Sequence, residues 1–186
     1  LKFRGSKYVQ SKPGLIYKEI RKLLIANNEV FFIGTPCQIE GLKRFLNKDY
    51  ANLYMIDIIC HGVPSHKMLK EHLEYVTGCK NLNGQDISFR NNTNFRLKIS
   101  HDNIILYDKI AAYDLYLKSF LDTAIFRENC YQCQFARSER VTDITIGDFW
   151  GAQRVIGDDF DHDLGTSVVM INSEKGNDFF QSVKNL

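Results

Sequence analysis

The sequence predicts an α/β protein of mixed α+β character, a parallel α/β core sheet with an added small antiparallel β region. Three observations predict it. Two short apolar runs, Val30-Phe31-Phe32-Ile33 and Leu53 to Ile59, are each followed by a turn and a helical pattern. That succession of strand, helix, strand, helix is the mark of a parallel unit. Between Gly78 and Tyr107 the pattern changes to short alternating runs separated by Asn and Asp clusters, as in an antiparallel meander.

In order along the chain, Pro13-Gly14 opens a segment with apolar residues at 16, 20, 23 and 24, a helical spacing that Asn27-Asn28 ends. The run from Val30 to Ile33 reads as a strand buried on both faces. Thr35-Pro36 starts a helix to about Leu46, with Thr at the N-cap and Pro at the first helical position. Leu53 to Ile59 is the next buried strand, His61-Gly62-Val63-Pro64 turns the chain, and Ser65 caps a helix to about Val76. Ile87 to Arg90, Phe95 to Ile99 and Ile104 to Leu106 form the meander, a β insertion over 84–107. Residues 112–122 are helical, a loop carries Cys130 and Cys133, Ile144-Thr145-Ile146 begins a strand, Ser167 to Ile171 is another, and 174–184 is a final helix. With no linker, residues 1–186 read as a single domain.

Composition excludes several classes. The chain has 186 residues, 44% hydrophobic and 25% charged, which is ordinary for a globular protein. A net charge of +2 is too small to argue for nucleic acid or an anionic membrane. No apolar run approaches the roughly 20 residues of a membrane span. The opening Leu1-Lys2-Phe3-Arg4-Gly5 has neither an initiator Met nor a signal-peptide pattern, and reads as the middle of a longer chain. Five cysteines without a disulfide-scaffold spacing point to a reducing, cytoplasmic setting, where thiols are available for metal or chemistry.

Four of those cysteines carry the argument: Cys37 in Gly-Thr-Pro-Cys-Gln, Cys60 in Ile-Cys-His-Gly, and the pair Cys130 and Cys133. Thiolates from three segments including one C-x-x-C suit an iron–sulfur cluster or a structural zinc. Cys37 follows a buried strand at a helix start. There the carboxyl ends of strands and the backbone N–H groups of the helix favour an anion, whether a phosphate or a thiolate. Cys60 occupies the equivalent point after the next strand, so adjacent strands would deliver both thiols to one sheet edge. Either cysteine alone reads equally as a small core residue. Cys79 after Gly78 reads as structural, and His61 as a residue that orients its loop. The acidic stretch from Asp158 to Asp163 reads as a solvated loop, with a divalent-ion site as the alternative. The tract from Ser6 to Ser11 is an exposed strand or, through its hydroxyl, amide and ammonium donors, part of a phosphate or flavin site.

These residues carry a resemblance. The segments are Arg4-Gly5-Ser6-Lys7-Tyr8-Val9-Gln10-Ser11, Gly34-Thr35-Pro36-Cys37-Gln38-Ile39-Glu40-Gly41-Leu42, Asp57-Ile58-Ile59-Cys60-His61-Gly62-Val63-Pro64-Ser65, Ile87-Ser88-Phe89-Arg90, Cys130-Tyr131-Gln132-Cys133-Gln134-Phe135-Ala136, and Arg140 to Gly151 with its Gly147-Asp148-Phe149-Trp150-Gly151. In this order they resemble the C-terminal region of the β subunit family of coenzyme F420-reducing hydrogenase and dehydrogenase. The resemblance implies a flavin and iron–sulfur oxidoreductase, holding FAD (or FMN) and a 4Fe–4S cluster. It would exchange a hydride with a small-molecule carrier, the deazaflavin coenzyme F420 or similar, and pass single electrons to a redox partner protein or a ferredoxin-like segment. Carried over, Cys37, Cys60, Cys130 and Cys133 are the cluster ligands. Ser6, Lys7, Gln10, Thr35 and Gln38 are the flavin contacts, and Asp148 and Trp150 shape the site or pack. No ferredoxin-like C-x-x-C segment precedes the match in this sequence, and Asn91-Asn92-Thr93-Asn94 replaces the family's acidic, basic and aromatic continuation. Family members also stand beside polysaccharide-assembly enzymes. Two other readings stay open: a redox-inactive zinc-bearing or interaction module of the same fold, and an enzyme with Cys37 as nucleophile.

Overall fold

The computed structural model describes residues 6–80, 84–91, 94–157 and 165–184. The acidic stretch 158–163, Arg4-Gly5 and Asn92-Thr93 lie outside them. The chain forms two compact units, one from residues 1–11 and 62–133, the other from 12–61 and 134–186.

The second unit holds the parallel sheet. Helix α1 (Ile16–Ile25) leads into strand β1 (Val30–Gly34), helix α2 (Pro36–Leu46) and strand β2 (Leu53–Ile58). After the first unit come β6 (Ile144–Asp148), a short helix α6 (Gln153–Ile156), β7 (Ser167–Ile171) and α7 (Glu174–Val183). The strand order is β1-β2-β6-β7. β1 with β2 and β2 with β6 are parallel, and β7 returns antiparallel on β6. Ile20 and Leu24 of α1, one helical turn apart, meet Leu42 and Leu46 of α2, and both pairs cover Val30 and Leu53 of the sheet. The sequence reading of β1 as buried on both faces is corrected. β1 is an edge strand, and the face away from α1 and α2 leaves Phe31 45% and Ile33 60% exposed, with Phe31 stacked on Tyr54 and packed against Phe179 of α7.

Buried charge fixes the register of this sheet. Asp57 of β2 is 1% exposed and accepts hydrogen bonds from Thr142 at 2.9 Å, from Thr145, and from Arg140 at 3.3 Å. Asn172 donates to both threonine hydroxyls, at 3.2 and 2.9 Å, so a segment after β7 closes the network. Burial of such a group is tolerated only when its acceptor sites are filled.

The first unit holds helix α3 (His66–Thr77) and the antiparallel sheet β3 (Asp86–Asn91), β4 (Asn94–His101), β5 (Ile104–Ile110). A 3-10 turn over Ala111–Tyr113, helix α4 (Leu115–Leu121) and a single helical turn α5 (Glu128–Tyr131) complete it. The helix expected over 112–122 is therefore split, because Asp114 interrupts it as the N-cap of α4, taking the Leu117 N–H. Ser65 caps α3 by accepting from the Met68 N–H at 3.2 Å, and Gly78 ends α3 in the left-handed conformation. Leu69 and Leu73 of α3, Phe89, Leu97 and Ile99 of the sheet, and Tyr116 and Leu117 of α4 form the core. Within it Asp114, its side chain fully buried, bonds His72 at 2.7 Å and accepts from Tyr107 at 3.0 Å. Burial pushes the Asp114 carboxyl up, but His72, the Leu117 N–H and Tyr107 together outweigh it and hold the group below the usual carboxylate value. Burial, and then the same carboxylate, push Tyr107 up to about 12.

Candidate functional site

At the carboxyl edge of the parallel sheet the cysteine loops leave the strands in register. Gly34, the last residue of β1, is paired with Asp57 of β2. Cys37 and Cys60 each lie three residues beyond that pair, so equivalent positions of adjacent parallel strands deliver both thiols to one edge. The sequence expectation of a shared edge rested on adjacency, and β1 and β2 are adjacent. β6 ends at the same edge with Asp148, followed by Phe149 and the 69% exposed Trp150.

Local geometry explains the residue types. The side chain of Gln38, in the first turn of α2, reaches back to accept the Thr35 N–H at 3.1 Å. The Thr35 hydroxyl lies 3.2 Å from the Cys37 sulfur. A Cβ at Gly34 would stand 3.2 Å from the Gln38 amide oxygen, which keeps this loop tight against the strand end. Beyond β2, the Ile59 N–H donates to Ile146 at 2.8 Å and prolongs the sheet toward Cys60. That crossing needs a glycine in β6, since a Cβ at Gly147 would come 2.8 Å from the Ile59 side chain. Cys37 is exposed and Cys60 half-buried. Tyr17 of α1 was not foreseen: its hydroxyl donates to the Gln38 carbonyl at 2.7 Å. Burial first, and the nearby Cys37 sulfur second, push its phenol up.

The other cysteine pair belongs to the first unit. Cys130 sits in α5, a helical turn where the sequence reading had a loop, and its N–H donates to Arg127 at 2.8 Å. Cys133 follows two residues after this turn, and both cysteines are half-buried. The turn after Cys60 is tied to this segment: the Arg127 N–H donates to Val63 at 3.0 Å, and Gly62, at φ +125°, leaves no room for a Cβ, which would fall 2.5 Å from Phe126. Ser6, Lys7 and Gln10 lie in an irregular segment, not a strand. Tyr8 anchors it, stacking on Phe120 with centroids 4.9 Å apart and accepting the Tyr116 hydroxyl at its carbonyl. The Gln10 N–H donates to Pro64 at 3.3 Å. Cys79 is held by the Thr77 hydroxyl at 3.2 Å, in keeping with a structural role.

Cys37 and Cys60 of the second unit and Cys130 and Cys133 of the first are in no disulfide, and thiolates of this kind are ligands of iron or zinc. Among the described residues no three His, Cys, Asp or Glu side chains are grouped as a metal set. No helix among them is long and apolar enough to cross a membrane.

Comparison with known families matches residues 27–185 to the C terminus of the beta subunit of coenzyme F420 hydrogenase/dehydrogenase. The chain belongs to this family. The matched span contains all four of these cysteines and the Gly-Asp-Phe-Trp-Gly turn, so the family's sequence pattern runs through both units. Among solved structures, the chain is similar to a chain of the F420-reducing [NiFe] hydrogenase complex from Methanosarcina barkeri, in a xenon-derivatised form. The TM-score is 0.57 at 14% identity, covering 98% of this chain and 57% of that one. At that identity the likeness is one of fold, and this chain spans a little over half the length of the hydrogenase chain. No protein with a curated description matches.

Proposed function

We propose that this chain is an oxidoreductase module that moves electrons between a small-molecule hydride carrier, the deazaflavin coenzyme F420 or a relative of it, and a one-electron protein partner or ferredoxin-like segment. The observation that carries the reading is the register of Cys37 and Cys60, which brings two thiols to one edge at the position where open α/β sheets bind ligands. Membership of the family supports the redox assignment. In this reading Cys37, Cys60, Cys130 and Cys133 hold a 4Fe–4S cluster, and Ser6, Lys7, Gln10, Thr35 and Gln38 contact FAD or FMN. Bound flavin would supply the conversion between two-electron and one-electron chemistry. The residues of the chain position and tune: Gln38 fixes the backbone at Thr35, and Gly147 lets Ile59 lie close to β6 ahead of Cys60. The cytoplasm, with its reducing poise, suits thiols outside disulfides.

The test is iron, sulfide and flavin analysis of anaerobically purified full-length protein, with its visible spectrum. About four irons with matching sulfide per chain and bound flavin support the proposal. A colourless protein with zinc or no metal, after anaerobic reconstitution, overturns it in favour of a redox-inactive module of the same fold.

A further inference from the structure

Beside the amino-terminal half of β2, away from the edge that bears Cys37 and Cys60, the second unit has a partly open cavity of about 300 Å³. Its walls come from the end of α2, the turn into β2, the run into β6 and the turn from β7 into α7. Four cations line it, Lys43, Lys48, Arg140 and Lys175, against two carboxylates, Asp49 and Asp143. Asp143 is already engaged: it accepts the Met55 N–H at 2.8 Å and the Ser173 hydroxyl at 2.7 Å, and pairs with Lys175 at 3.4 Å. Arg140 spends one terminal nitrogen on Asp57 and on the Phe135 carbonyl, at 3.3 and 3.4 Å. Its Nε is buried and, among the described residues, has no acceptor. Lys43 donates to the neutral Val141 carbonyl at 3.3 Å, and Lys48 lies over the Tyr50 ring at 4.6 Å, so neither partner carries a negative charge.

We propose that this cavity is an anion site that takes a phosphate or the phosphoryl group of a small phosphorylated molecule. Lys43 and Lys48 line this space with a neutral carbonyl and an aromatic ring as their partners, and an anion there would add charge-assisted contacts to both. Guanidinium and ammonium donors around one space are the charge-assisted set that phosphate oxygens accept. The volume stands at the lower end of small-molecule sites and admits a phosphate with a modest substituent. No cysteine lines the cavity, so the site stands independently of the redox reading.

Titration calorimetry of the full chain with inorganic phosphate and with ribose 5-phosphate, together with thermal unfolding, tests this. One saturable site is expected, with an unfolding midpoint raised above that in potassium chloride of equal ionic strength. Lys43→Met weakens binding about tenfold by removing one charge-assisted contact, and Cys37→Ala leaves it unchanged. Tighter binding of ribose 5-phosphate assigns a phosphorylated small molecule; equal binding assigns the free ion. Absence of saturable binding by either ligand, or binding unaltered in Lys43→Met, overturns the proposal. Should Lys43→Met fail to fold, Lys48→Met carries the same test with the same outcomes.

Discussion

The carboxyl edge of the four-stranded sheet and the body behind it are built on opposite plans. The edge is shaped by absence: Gly34 and Gly147 have no side chain, and the thiol of Cys37 is exposed. The body is crowded with charge, where Asp57 and Asp143 together engage Arg140, Lys175 and three hydroxyls. The contrast teaches that register and reactivity are separated. Buried ion pairs lock β2 to the segments around β6 and β7, and the edge so positioned can present thiols that themselves hold little together.

The largest effect expected from breaking this contrast is at Asp57. Asp57→Ala would strand a nearly buried Arg140 and two threonine hydroxyls, and should cost about 3–5 kcal/mol of stability in urea denaturation. A loss below about 1 kcal/mol would mean that the network does not fix the sheet. Next is Gly147→Ala, which forces a Cβ against Ile59 and should cost roughly 1–3 kcal/mol. The double variant with Ile59→Ala should recover part of that loss, and a purely additive double variant would refute the steric account.

A third, smaller effect sets the first unit beside the second. Asp114 is held below its ordinary carboxylate value by His72, the Leu117 N–H and Tyr107 against the upward push of burial. A depressed carboxyl contributes stability that is complete above its unfolded value of 3.8 and is lost as the pH falls through the lower folded value. The acid limb of the stability curve should therefore be shallower in Asp114→Asn than in the parent, measured as urea midpoint against pH. Equal slopes would contradict the assignment. The smallest effect is Cys37→Ala, whose exposed side chain should change unfolding of the metal-free protein by no more than about 0.5 kcal/mol.

Much of this was legible because it is local. Thr35-Pro36 and Ser65 mark helix starts by their own chemistry, and Gly78 marks a helix end. The alternating runs before Tyr107 gave the antiparallel sheet for the same reason. What failed depends on partners far along the chain. An all-apolar run at β1 cannot reveal that the strand lies at a sheet edge, since β2 finds its other neighbour in β6 only after the whole of the first unit. Asp57, Thr142 and Arg140 are scattered over more than eighty residues, and only a lone carboxylate in an otherwise apolar strand hinted at them. Tyr17 gave no signal, because its contact with Gln38 arises from the packing of α1 on α2.

The most direct test of the central claim is cofactor analysis of five single variants, Cys37→Ala, Cys60→Ala, Cys130→Ala, Cys133→Ala and Cys79→Ala, each purified anaerobically as full-length protein. The account predicts that the first four lose iron and sulfide together while Cys79→Ala keeps both. Loss of iron in none of them, or equal loss in Cys79→Ala, would contradict it.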